Sequence, residues 1–240
     1  MTQESETRTA NPTITEILAR FLEDQRRRLT PRTFSNYEHV VELLQHCLDG
    51  YGHQSLDRAD ASRFERLYNA EGAEHREFCE IFGPEHILQN LDEFLGYFMV
   101  RKVIAGKETL RAAGTVTKKL AAWLAENGYV AGRDAEDAAK RGGEAARDLP
   151  RAEELASRLR ELAVGRGRGD EDDEREGHFR ITRVENGRIW LEDGVGGDDV
   201  CSLKVPADVA RRCQVGWTLS GILGRSGKGW RIVEAWNVYP

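Results

Sequence analysis

The chain has 240 residues and a formal net charge of −6, from 35 Lys+Arg against 41 Asp+Glu. Hydrophobic residues make up 40% and charged residues 32%, which suits one or two packed domains with solvated segments and not a wholly disordered chain. The acidic balance argues against a protein that coats nucleic acid with its entire surface, and leaves room for one basic face.

Residues 1–12 are polar, carry Glu4, Glu6 and Arg8, and read as a disordered tail with no signal-peptide stretch. A first helix is predicted from Thr13 to Leu29, because Ile14, Ile17, Leu18, Phe21 and Leu22 form one apolar stripe. Thr30-Pro31 is an N-cap followed by proline at the first helical position, so a second helix runs from there to Asp49. Residues 53–75 are polar, with a short helix at 61–68, and 77–82 make another. The apolar residues Ile87, Leu91, Phe94, Leu95, Phe98 and Met99 predict one long central helix from Pro84 to Ile104. Beyond Gly106, Leu110, Ala113, Val116, Leu120, Trp123 and Leu124 mark a helix or helix pair, with a kink or restart at Gly114-Thr115 and a stop at Asn127-Gly128.

Residues 131–176 read as a charged linker, rich in Gly and Ala at first and strongly acidic at its end. A short amphipathic helix at 150–164 interrupts it, with Leu155, Leu159 and Leu162 along one edge. The period then changes to two. Strands are predicted at 178–184, 187–192, 199–205, 215–223 and 229–238, with a short helix at 206–213. Five strands with a helix between the third and fourth match an OB-type order, and an SH3-like barrel is the alternative for so small a module. The expected fold class is therefore α+β: an all-α bundle of four to five helices over 13–130 and a small five-stranded β-barrel over 177–240.

The composition narrows the chemistry. The apolar run 94–100 is far shorter than the ~20 residues that a spanning helix needs, so no membrane partner is expected and the expected location is the cytoplasm. Cys47, Cys79, Cys201 and Cys213 include no CxxC pair and read as buried thiols. His75 and Cys79 stand at i, i+4 without an evident third ligand, so no metal and no cofactor is expected. No catalytic constellation stands out.

The segments Ile17–Leu22, Thr30–Tyr37, Phe94–Phe98, Gly114–Leu124 and Asn127–Tyr129 resemble the SAM-like core-binding domain of tyrosine recombinases (phage integrases). The resemblance covers about half of the chain. It implies a helical domain that clamps duplex DNA, while strand cutting belongs to a second domain with an Arg, Lys and His cluster and a Tyr nucleophile. No His-x-x-Arg element follows here, and Tyr239 stands alone near the C-terminus, so only a DNA-holding role carries over.

Local charge gives that role residues. Arg101, Lys102, Lys107, Arg111, Lys118 and Lys119 face Glu108 alone within 101–119. Lys107, Arg111, Thr115 and Lys118 recur at i, i+4, i+8 and i+11, a spacing that reaches successive phosphates, with a hydroxyl from Thr115. An ordinary solvated helix face fits the same pattern. Arg32 and Asn36, with His39 a turn later, offer base-reading side chains on the second helix, although Glu38 and Glu42 flank them. In the β-rich module, Arg188, Arg225, Lys228 and Arg231 accompany four Trp, most of them expected in the core and one available for stacking on bases. A non-catalytic DNA-binding protein is the leading expectation. The other is a protein-interaction adaptor that docks a partner, or a second copy, on the Leu155/Leu159/Leu162 edge.

Overall fold

Thr13 opens the first helix through a reciprocal cap. Its hydroxyl accepts the Glu16 N–H at 3.3 Å, and the Glu16 carboxylate accepts the Thr13 N–H at 3.0 Å. The computed structural model describes residues 12–166, 173–193, 200–227 and 229–240. It divides into two compact units. One comprises the chain up to Phe94 with Val116–Gly142, the other Leu95–Thr115 with Gly143–Pro240.

The first unit is helical. It holds α1 (Ile14–Arg26), α2 (Pro31–Tyr51), α3 (Arg58–Tyr68), α4 (Phe78–Ile81) and α5 (Glu85–Gln89). Thr30 caps α2 by accepting from the Thr33 N–H, with Pro31 at the first helical position. Ile14, Ile17, Phe21, Leu48, Phe78 and Ile87 are fully buried. Burial of one such side chain contributes roughly 1.5–3 kcal/mol, and together they hold these short helices in place. Trp123 meets Phe21 edge-on at 5.6 Å, and its Nε1 donates to Asp24 at 2.9 Å.

The long helix expected over 84–104 is broken. α5 ends at Asn90, whose buried side-chain amide donates to the His86 carbonyl at 2.8 Å. A π-helical turn, Glu93–Phe98, then leads into α6 (Met99–Arg101). A π turn inserts one residue and shifts the apolar phase, so Met99 is buried and Phe98 only half-buried. The predicted restart at Gly114 is absent: α7 runs unbroken from Lys107 to Glu126.

The linker expected over 131–149 is also a correction. It is the first half of α8 (Gly132–Arg166), a 35-residue helix with Pro150 inside it. Ala135, Ala138, Leu149, Ala152, Ala156, Leu159 and Ala163 are buried at alternating steps along this helix. Alanine favours the helix and lets a neighbouring surface approach closely. Leu155 and Leu159, expected on an open docking edge, are buried at 0% and 1% exposure in the core that α8 shares with the strands of the second unit. Leu162 packs against the same core.

The second unit carries β1 (Asp173–Glu185), β2 (Arg188–Asp193), β3 (Val200–Lys204), β4 (Thr218–Ser226) and β5 (Gly229–Tyr239), with α9 (Ala207–Ala210) between β3 and β4. The chain is thus a mixed α+β protein with a five-stranded sheet toward its C-terminal end. The strand order is β1-β2-β3-β5-β4, and β1 also pairs with β4. All neighbours are antiparallel except β3 and β5, which meet in parallel at Leu203 and Trp230. The first strand begins earlier than predicted, inside the acidic stretch assigned to the linker. Backbone pairing with β4 holds 173–176, and Asp173 stands opposite Arg225. Phe179, Ile181, Ile189, Leu191, Leu203, Leu219 and Leu223 point inward, each no more than 2% exposed. The expected tail, apart from Pro12, and the linker residues 167–172 lie outside the described residues.

Candidate nucleic-acid interface

The cations singled out on α7 separate by environment. In the second unit, Lys107 Nζ lies 3.0 Å from Glu154 Oε2, and Arg212 Nη2 lies 3.1 Å from Glu154 Oε1. The bond from Lys107, then that from Arg212, holds the Glu154 carboxyl below its usual range. Lys107 is therefore engaged within its own unit. The Thr115 hydroxyl donates to the Arg111 carbonyl at 2.9 Å, so its proton is spent inside the helix and is not held out for a phosphate. The Arg111 side chain is exposed and forms no ion pair among the described residues. Arg101 lies beside the Tyr239 hydroxyl, and Lys102 Nζ sits 5.7 Å over the Tyr97 ring.

In the first unit, Lys118 and Lys119 are exposed and unpaired among the described residues. Arg32 and Asn36 are exposed on α2, with His39 Nδ1 4.0 Å from Glu42. A cleft of about 600 Å³ in this unit is lined by Glu85, Asp92, Asp134 and Asp137, with Arg141 bound to Asp92 at 2.8 Å. Its carboxylates repel phosphate and place no nucleic acid there. His75 is bonded to the Tyr68 carbonyl and to Glu77, while Cys79 is buried with its thiol toward the Gln45 carbonyl. The two do not form a shared ligand set.

The strands bring together a different group. Along β2, Ile189 and Leu191 are buried, while Arg188, Trp190 and Glu192 alternate outward. Register sets Arg188 opposite Lys204 and Trp190 opposite Ser202. Arg188 Nη1 donates to Ser202 Oγ at 2.8 Å. On the other flank, Arg183 of β1 is opposite Trp190, its guanidinium carbon 4.3 Å from the ring centroid. Arg180 pairs with Glu192 at 2.7 Å, and Arg183 bonds Glu185. Lys204 is exposed and forms no ion pair among the described residues.

The other predicted contacts lie apart from this group in their surroundings. Arg225 is exposed, 5.9 Å from the centroid of the Trp230 ring, which Arg175 approaches to 4.9 Å. Arg231 is half-buried, and Lys228 lies outside the described residues. Of the four Trp in this module, only Trp217 is buried; Trp190, Trp230 and Trp236 are half-buried. Arg183 and Lys204 were not singled out by sequence. The signal was there in the period of two: Ser202 and Lys204 alternate with the inward Cys201 and Leu203.

No family model, curated protein or solved structure matches this chain. Among the described residues, no helix is long and apolar enough to cross a membrane.

Proposed function

We propose that this is a non-catalytic nucleic-acid-binding protein. The observation that carries the reading is the state of the cations. Among the described residues, Arg111, Lys118 and Lys119 stay exposed and unpaired although acidic residues outnumber basic ones in the chain. Such side chains gain by replacing the counterions of a phosphate backbone. In this reading Lys118 and Lys119 are the phosphate contacts of a helical unit similar to recombinase core-binding domains. Arg111 and the outward cations of the sheet are contacts of the second unit. The strand order, with a helix between β3 and β4, favours an OB-type barrel over an SH3-like one. The adaptor reading loses its main support, because Leu155 and Leu159 are core residues.

The test is binding of a fluorescent duplex and a fluorescent single strand across a salt series. The expected result is an affinity that falls with salt, and a lower slope for the double variant Lys118→Glu/Lys119→Glu. Both lysines are exposed, so the variant is expected to fold. Absence of binding to either probe at low salt overturns the proposal.

A further inference from the structure

The outward surface of β1, β2 and β3 carries an arrangement that folding alone does not reward. Arg188 and Lys204 are directly opposite each other in the antiparallel ladder. Like charges at such a position destabilise a sheet. Neither forms an ion pair among the described residues, and Arg188 is held by a neutral hydroxyl, Ser202 Oγ, at 2.8 Å. Among the described residues, Glu185 stands opposite Arg188 in the β1–β2 ladder but bonds Arg183, and Glu192 bonds Arg180. Arg188 and Lys204 thus stand together, with Glu185 beside Arg188 but, among the described residues, no carboxylate in ion-pair contact with either.

Trp190 lies next to that pair on the same face of β2. Its partner across the ladder is the small Ser202, and Trp190 keeps part of its surface in solvent. The Arg183 guanidinium rests on the ring at 4.3 Å and fixes its orientation. An indole of fixed orientation beside a pair of cations that form no ion pair among the described residues offers one surface for a planar base and one for the adjoining phosphate.

We infer that the Arg183–Trp190–Ser202–Arg188–Lys204 surface binds single-stranded nucleic acid, with one base stacked on Trp190 and the neighbouring phosphate held between Arg188 and Lys204. A duplex keeps its bases stacked on one another and cannot offer a free base face, so this surface selects single strands. Stacking tolerates any base, and the surface is expected to read backbone and base planarity with little sequence preference. The inference deepens the nucleic-acid reading above and rests on it.

The experiment uses the full chain, a labelled oligothymidylate of about a dozen nucleotides, a labelled duplex and poly-glutamate as competitor. Wild type is expected to bind the single strand more tightly than the duplex. Trp190→Ala is expected to weaken single-strand binding about tenfold and to leave the duplex unchanged, while Trp190→Phe retains most of the affinity. Lys204→Ala, at an exposed position, is expected to lower the salt slope for the single strand without altering the circular dichroism spectrum. Wild-type single-strand affinity that Trp190→Ala and Lys204→Ala both leave unchanged overturns this site while nucleic-acid binding itself stands. Displacement by poly-glutamate as effective as by unlabelled oligonucleotide also overturns it, because the surface would then recognise charge alone. No binding to either probe overturns this site and the wider proposal together.

Discussion

Lys107 Nζ is 3.0 Å from Glu154 Oε2, and the other oxygen of that carboxylate accepts from Arg212. One carboxylate thus neutralises a cation on α7 and another just beyond α9. The sequence pattern treated Lys107 as a phosphate contact. Its spacing along the helix was legible, whereas a partner 47 residues further on was not.

Replacing Glu154 by Gln releases both cations. Glu154 is 38% exposed in its side chain, so solvent screens the pair and the loss of stability is expected to stay below about 1 kcal/mol. The carboxyl is lowered from its ordinary 4.5 in the folded state. Its contribution is therefore complete above that value and disappears as pH falls through the lowered folded value. Urea unfolding of wild type and Glu154→Gln is expected to separate at neutral pH and to converge in acid. If the α7 cations hold nucleic acid, the same variant binds it more tightly, because Lys107 no longer has an internal partner.

Leu159 discriminates between a docking edge and a core position. It is 1% exposed and packs within the cluster that includes Phe179, Ile181 and Leu219. Leu159→Ala leaves a cavity there and is expected to cost about 2–5 kcal/mol, read as a fall in the denaturant midpoint. Leu162 is only partly buried against that cluster, and Leu162→Ala is expected to cost clearly less. A docking residue gives the opposite result: unchanged stability with altered association.

The elements most legible in the sequence were those whose boundaries rest on local chemistry. Thr13 and Thr30-Pro31 mark helix starts because a hydroxyl cap and a proline act within one turn. The five strands followed from the alternation of large apolar residues. The first half of α8 was hidden because its buried residues ahead of Asp148 are Ala135, Ala138 and Gly142, which contribute little to an apolar pattern. Gly142-Gly143 also mimic a linker and Pro150 a helix start, although both lie within the helix. The break at Asn90 depends on a buried amide bonded to the His86 carbonyl, and no period announces it. At the candidate site, Arg188 and Trp190 were visible as residue types. The pairing of Arg188 with Lys204 follows from strand register, which only the fold supplies.

The buried thiols are expected to be inert. Burial pushes Cys47 and Cys213 up to about 12, with Glu93 adding to the effect at Cys47, and it raises Cys79 as well. A thiolate is the reactive form, and its fraction at these sites is negligible between pH 7 and 9. A chromogenic disulfide reagent is expected to leave these three cysteines unmodified in the native protein. In guanidinium chloride, four thiols per chain are expected to react. Rapid labelling of Cys47 or Cys79 in native buffer would show that the first unit opens far more readily than its packing implies.

Gly221 is the position where the sheet tolerates no side chain. A Cβ built there would lie 2.1 Å from the Glu234 carbonyl oxygen and 3.1 Å from the Ala235 Cα. Both are backbone atoms of the paired strand β5, so no rotamer change relieves the overlap. The position adjoins a break in the β4–β5 register between Leu219 and Gly221, where the strands approach closely. Gly221→Ala must therefore push two paired backbones apart, at a cost on the order of 3 kcal/mol. The strain falls on the ladder that also seats Leu219 and Leu223 in the core. Denaturant unfolding followed by tryptophan fluorescence is expected to show an early transition for this variant, since Trp230 and Trp236 lie on β5 and Trp217 immediately precedes β4. Native-like stability of Gly221→Ala would mean that β4 and β5 are not in the register found here.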